Sequence, residues 1–169
     1  YDLDQTCRYA YETNNEAVFN YRDIKSVTGQ EIAEQYGKKS VKVLVGCAPC
    51  QPFSSYAFKN KKKDPNKYDL LYEFGRLIRE VRPDIVAMEN VTQILRFEEK
   101  PVLNDFLALL EELDYQYDVQ QIYCPDYGIP QTRKRLVVVA SRFGNIRLIS
   151  PTHNKEKYVT VRQTIGSLP

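Results

Sequence analysis

Apolar residues recur along this chain with two different periods, and their alternation predicts most of its elements. Between 69 and 81 they fall at Leu70, Leu71, Phe74, Leu77, Ile78 and Val81, the spacing of one helix face. Arg82-Pro83 stops that helix, because a residue before proline is steered away from helical angles. A second amphipathic helix is predicted over 102–113. The apolar runs 41–45 (with one lysine inside it), 84–88 and 136–140, and the alternation over 115–123, predict strands. The N-terminal pattern predicts the end of a strand at 1–4, a helix over 5–13 closed by Asn14-Asn15, and a short strand over 17–23. A further helix is predicted over 26–36, closed by Gly37 and followed by Lys38-Lys39. Strands alternating with helices indicate an α/β domain with a doubly wound sheet.

Two stretches break the alternation. Residues 55–68, SYAFKNKKKDPNKY, are polar and lysine-rich. Such a run is a solvated surface loop or, functionally, a lid that touches phosphates. Residues 150–169 are polar and thin in core residues, so they are expected to be a connector, with the catalytic unit over 1–149.

Composition narrows the class without choosing a function. A chain of 169 residues can bury one sizeable core. A net charge of +2 argues neither for nor against a polyanionic partner. No apolar run approaches a membrane span and no signal-peptide pattern is present, so no membrane partner is expected. Four scattered cysteines form no disulfide framework, and a reducing compartment is expected.

Candidate chemistry begins at VLVGCAPCQPFS, residues 43–54. Gly46 ends the apolar run, and Pro49 and Pro52 rule out a simple helix directly after it. Cys50 therefore lies on a loop at a strand C-terminus, where open α/β sheets bind ligands. Three readings compete. Cys50 is a small buried hydrophobe, half of a redox or zinc C-x-x-C with Cys47, or a nucleophilic thiolate. The zinc variant has only Cys7, Cys124 and His153 as further soft donors. The nucleophile reading needs partners, and two appear. Strand 84–88 delivers Glu89 and Asn90 at its C-terminal end. Arg133 and Arg135, two apart at the start of a strand, face one side and can grip phosphate or a carbonyl oxygen. A thiol and a carboxyl on one sheet edge suit attack on a heteroaromatic ring. The alternatives are a structural salt bridge at Glu89 and a solvated arginine pair.

Pro49-Cys50-Gln51, Glu89-Asn90-Val91 and Gln131-Thr132-Arg133-Lys134-Arg135, in that order, resemble the PCQ, ENV and QxRxR motifs of the cytosine-C5 methyltransferases. Phe53-Ser54, Arg82-Pro83 and Tyr127-Gly128-Ile129-Pro130 agree in flanking position. The resemblance implies a Rossmann-like S-adenosylmethionine-dependent fold, with a mostly parallel sheet and helices on both faces. It implies methyl transfer to C5 of a flipped-out cytosine in double-stranded DNA, through a Cys50 adduct at C6. Glu89 would support protonation at N3. Asn90 would hold the motif's geometry, Arg135 would face the O2 side of the base, and Arg133 would order the site. Gln51, Ser54 and Gln131 would meet the substrate. Residues 59–67 match the family's closing loop. Asp2, Leu3, Asp23, Ile24 and Pro49 match cofactor-binding positions: the first two for ribose and adenine, the next two for the adenine edge and ring.

The resemblance also places a glycine-rich motif before Tyr1 and a target recognition domain after Pro169. His153, in Pro-Thr-His, resembles the boundary before that domain. These 169 residues alone are therefore expected to bind the methyl donor weakly and turn over little. A monomer in the bacterial cytoplasm (or in the nucleus, if the source is eukaryotic), with no metal and a cognate restriction endonuclease as partner in the same system, is expected. A tRNA-directed relative and a catalytically silent module of the same fold remain open.

Overall fold

The computed structural model describes residues 1–48, 69–96 and 101–168, and elements are numbered among these. Four strands form one sheet in the order β1-β2-β4-β3. They are β1 (Val43–Gly46), β2 (Ile85–Asn90), β3 (Gln116–Tyr123) and β4 (Lys134–Ser141). β1 and β2 pair in parallel, and β4 is antiparallel to both β2 and β3. Three of these strands thus point one way, and β4 is wedged among them reversed.

Two long helices supply the crossovers, α3 (Asp69–Val81) after β1 and α4 (Val102–Glu112) after β2. α3 has the predicted bounds, and its buried face is Leu71, Phe74, Leu77, Ile78 and Val81. Arg82 ends it in a left-handed conformation, φ +49°, directly before Pro83. The two helices pack on one face of the sheet, where Val86 and Met88 of β2 meet Leu136, Val138 and Ala140 of β4 in the main core. Val43 and Val45 of β1 are exposed, because successive strand residues alternate between faces.

Gly46 is required where β1 meets α3. A Cβ at Gly46 would lie 2.6 Å from Phe74 Cε2 and 2.7 Å from Cδ2. Phe74 cannot yield, since it is buried and stacked on Phe106 with ring centroids 5.9 Å apart. Gly46→Ala is expected to destabilise the protein by about 1–3 kcal/mol through overpacking. A lowered urea midpoint at unchanged m value would be the sign. An unchanged midpoint would contradict this packing.

The N-terminal third differs from expectation. The predicted helix over 5–13 begins as a 3-10 turn, Gln5–Cys7, capped by Asp4, and continues as α1 (Arg8–Asn15). Glu16 closes it in the left-handed region, φ 50°. The predicted strands at 1–4 and 17–23 shrink to one parallel bridge, Asp2 with Tyr21. Glu12 takes a backbone group that a ladder would need, accepting from the Phe19 N–H, and Asp23 caps the 3-10 turn Ile24–Ser26 that ends the segment. The predicted helix over 26–36 reduces to α2 (Gly29–Ala33), because a Thr28–Glu31 capping box fixes its start. Bonds from Gln35 to Ile32 and Tyr36 to Ala33 tighten its end into i→i−3 turns. Val27 and Ile32 bury against Leu77 and Val81, and Arg76 of α3 donates to the Val27 carbonyl at 3.0 Å.

Residues 150–168, the described part of the expected connector, form two short helical elements with no buried residue in either. They contain a 3-10 turn, Lys155–Lys157, and α5 (Val161–Ile165), capped by a Thr160–Gln163 box. Part of this segment folds back onto the loop between β3 and β4. Among the described residues no helix is long and apolar enough to cross a membrane.

Candidate functional site

The site forms where the parallel strands end, and register explains why its residues meet. Asn90 pairs with Leu136, and Glu89 with Val137. Arg135 stands two residues before Val137, hence on the same face as Glu89 and diagonal to it. Long side chains bridge such diagonal positions. Arg135 Nε lies 2.7 Å from Glu89 Oε1, and Arg133 Nη2 lies 3.8 Å from the same oxygen. Arg135 Nη1 also donates to the Lys134 carbonyl at 2.7 Å, which fixes the guanidinium in place. The expectation that both arginines face one side is met, with Glu89 as their shared partner.

This pair is only half-buried. An ion pair that exposed contributes about 1 kcal/mol or less to stability. Its value lies in orientation: a carboxylate and two cations converge on one open patch at the sheet end.

Asn90 plays a different part. It is 3% exposed, and a buried amide must find partners. Its Oδ1 accepts from the Val91 N–H at 2.9 Å, and its Nδ2 donates to the Ala48 carbonyl at 3.5 Å. Asn90 thus ties the end of β2 to the segment leaving β1. The Ala48 carbonyl was not readable in advance, since nothing in a sequence shows which backbone acceptor a side chain will choose.

Cys47 lies beside Glu89. Burial pushes its thiol up, the Glu89 charge adds to that, and a hydrogen bond from the Glu89 backbone opposes it. An upward shift lowers the share of thiolate, the form that takes part in thiol–disulfide exchange. Among the described residues no group of three or more His, Cys, Asp or Glu side chains could hold a metal ion. Pro49, Cys50, Gln51 and Ser54, and the lysine-rich residues 59–67, lie outside the described residues. Gln131 is exposed in the loop before Arg133.

Four of the candidate cofactor residues, Asp2, Leu3, Asp23 and Ile24, lie at or next to the Asp2–Tyr21 bridge, and Pro49 lies outside the described residues. The Asp2–Tyr21 bridge is parallel, so Leu3 and Asp23 leave it at the same end. Asp2 Oδ1 accepts from the Asp4 N–H at 2.8 Å, and Asp23 caps the 3-10 turn Ile24–Ser26. Leu3 is 60% exposed, an apolar side chain left open to solvent. Ile24 packs with Leu44 of β1 against the smaller core, which brings the Asp23–Ile24 pair alongside the strand that leads to Cys47.

Solved methyltransferase structures share this architecture. A protein described as a DNA modification methyltransferase encoded within an E. coli prophage superposes with a TM-score of 0.79 at 23% identity, covering 99% of this chain and 47% of that one. The Entamoeba histolytica methyltransferase EhMeth superposes with a TM-score of 0.65 at 20% identity, covering 91% and 48%. The fold is that of the Rossmann-like methyltransferases. The family model of the C-5 cytosine-specific DNA methylases matches residues 1–169, and the chain belongs to that family. It is 48% identical to the type II methylase M.HgiDII of Herpetosiphon aurantiacus, over 99% of this chain and 47% of the relative. It is 30% identical to the type II methyltransferase M1.ScrFI of Lactococcus lactis subsp. cremoris, over 73% of this chain and 33% of the relative. The chain spans about half the length of M.HgiDII and a smaller share of M1.ScrFI.

Proposed function

We propose that the full-length protein bearing this segment transfers a methyl group from S-adenosylmethionine to C5 of a cytosine flipped out of duplex DNA, with Cys50 as the nucleophile. The observation that carries this reading is the convergence at the end of β2. There Glu89 meets Arg135 and Arg133, while Asn90 is bonded to Ala48. Cys50 follows Ala48 by two residues, a reach of at most about 7 Å of extended chain.

In this reading the Cys50 thiolate adds to C6 of the cytosine while Glu89 supports protonation at N3. That drains charge from the ring and leaves C5 nucleophilic. When bound, S-adenosylmethionine supplies an electrophilic methyl group. After C5 is methylated, a base removes the C5 proton, the C6–S bond breaks, and the thiolate is regenerated. Arg135 holds Glu89 from one side and would meet the O2 edge of the base, with Arg133 helping to order the site. Flipping the base from the stack costs a few kcal/mol, which phosphate contacts must offset. Residues 59–67 and Ser54 would contribute there, with Gln51 and Gln131 touching the nucleotide.

The residues near the Asp2–Tyr21 bridge suit the cofactor. Carboxylates at Asp2 and Asp23 accept hydrogen bonds from hydroxyl and amino groups, and the open Leu3 and neighbouring Ile24 offer apolar surface to a ring. Pro49 would close the site from the β1 side. Residues 1–149 would be catalytic and 150–169 would lead towards a target-reading domain. The chain would work in the bacterial cytoplasm as a monomer, beside a restriction endonuclease of matching specificity.

The test is methyl transfer by the full-length protein from a labelled donor to duplex DNA and, separately, to tRNA. Label in DNA is the expected result. Label in tRNA alone would reassign the substrate, and label in neither, with DNA binding intact, would leave a silent binding module.

A further inference from the structure

Residues 149–158, which the proposed chemistry leaves unused, grip the loop that delivers the two arginines. The backbone of Asp126 is the anchor. Its carbonyl accepts from the N–H groups of Thr152 and His153, both at 2.9 Å. Its carboxylate accepts from the Tyr158 hydroxyl, which pushes that phenol up to about 12. On one flank the Tyr127 hydroxyl donates to the Ile149 carbonyl at 3.1 Å. On the other, the Tyr158 ring meets Tyr123 edge-on at 6.1 Å.

His153 completes the grip. Gly128 has φ +77°, and a Cβ there would lie 2.8 Å from His153 Cε1 and 3.2 Å from Nε2. The imidazole therefore lies flat against a glycine that turns the chain left-handed, a position suited to a residue without Cβ. Thr152 Oγ1 steadies the ring through Nδ1 at 2.9 Å.

From Gly128 a short relay of backbone bonds leads to the site. Ile129 N–H donates to the Cys124 carbonyl, Gln131 N–H to Ile129, and Arg133 N–H to Gln131, at 3.2, 2.7 and 2.8 Å. The Cys124 N–H closes the loop on the Arg133 carbonyl at 2.9 Å. Arg133 is the first of the two arginines, and two residues later comes Arg135 against Glu89.

We propose that His153 and Tyr158 are positioning residues, which clasp the loop 124–133 at Asp126 and Gly128 so that Arg133 and Arg135 stand against Glu89. This inference rests on the reading of Glu89 and Arg135 as the base-binding pair. A segment beyond the last strand then governs the geometry of the reacting end of the sheet.

Two measurements on the full-length protein test it. The first is amide hydrogen exchange over 124–133. In His153→Ala and Tyr158→Phe, these amides are expected to exchange about tenfold faster than in the parent, with β2 unchanged. The second is the single-turnover rate of methyl transfer. His153→Ala is expected to slow it about 10- to 100-fold in the parent, and His153→Phe, which keeps a flat ring on Gly128, to recover most of that. In an Arg135→Ala background the same His153→Ala change should cost little, because the residue it positions is gone. Unchanged exchange overturns the clasp. Faster exchange with an unchanged rate overturns the positioning role, as does an equal loss in both backgrounds, which would mark general destabilisation. Faster exchange in a parent that methylates nothing would instead fell the proposed activity and leave the clasp standing.

Discussion

Cys50→Ala in the full-length protein is expected to lower methyl transfer to DNA by at least about 10⁴-fold, with DNA affinity nearly kept. The size of the effect follows from the chemistry. Cytosine C5 is too poor a nucleophile to take a methyl group unaided, and only addition at C6 makes it an enamine-like carbon. In the proposed mechanism alanine removes the atom that adds, and among the described residues no other group at this end of the sheet is suited to replace it. Cys47 is the obvious substitute, three residues earlier, but its thiol is pushed up by burial and by the charge of Glu89 beside it. Cys47→Ala is accordingly expected to stay within about threefold of the parent, as for a side chain outside the reacting pair. A duplex carrying 5-fluorocytosine makes the distinction physical. Fluorine at C5 cannot leave as a proton does, so the methylated adduct stays joined to sulfur at C6. Denaturing electrophoresis should show a DNA-linked band with the parent and with Cys47→Ala, and none with Cys50→Ala. A band that survives Cys50→Ala, or that vanishes only in Cys47→Ala, would move the nucleophile elsewhere.

The parts of this molecule legible in its sequence are those held by short-range patterns. α3 is an example: five buried apolar residues at helical spacing mark its face and a proline stop fixes its C-terminal end. The strand that ends in Glu89-Asn90 was legible for a similar reason, as was the one that starts beside Arg133 and Arg135. Their meeting was not. It depends on β4 inserting antiparallel between β2 and β3, with Glu89 opposite Val137, and no local pattern encodes such a register. The N-terminal elements are shorter than their pattern suggests, because Glu12 takes the Phe19 N–H, Asp23 caps a 3-10 turn and the Thr28–Glu31 box starts the helix only at Gly29. Asn90 was legible as a motif residue, yet its bond to Ala48 spans 42 positions. The same holds for His153, which reads as a connector residue and proves to lie on Gly128. Long-range side-chain contacts to backbone are the class of information the sequence withholds.

Glu89→Gln is expected to lower the methyl-transfer rate about 10²- to 10⁴-fold, the range for loss of a positioned acid–base group. The change is isosteric and leaves an amide that can still touch the base edge. In the proposed mechanism it removes the carboxyl that would support protonation at N3, the step that lets the ring accept the thiolate. It also removes the charge that Arg135 meets at 2.7 Å and Arg133 at 3.8 Å. Because that pair is half-exposed, stability should fall by only about 1 kcal/mol or less, so a lost rate cannot be blamed on unfolding. The two arginines provide the control. Arg135→Ala frees Glu89 but keeps its carboxyl, and should cost less rate than Glu89→Gln while weakening DNA binding more. Single-turnover rates, duplex-binding titrations and urea midpoints on the three proteins separate these effects. If Glu89→Gln turned over within tenfold of the parent, the carboxyl would be a structural partner of Arg135, and proton delivery to the ring would have to come from solvent.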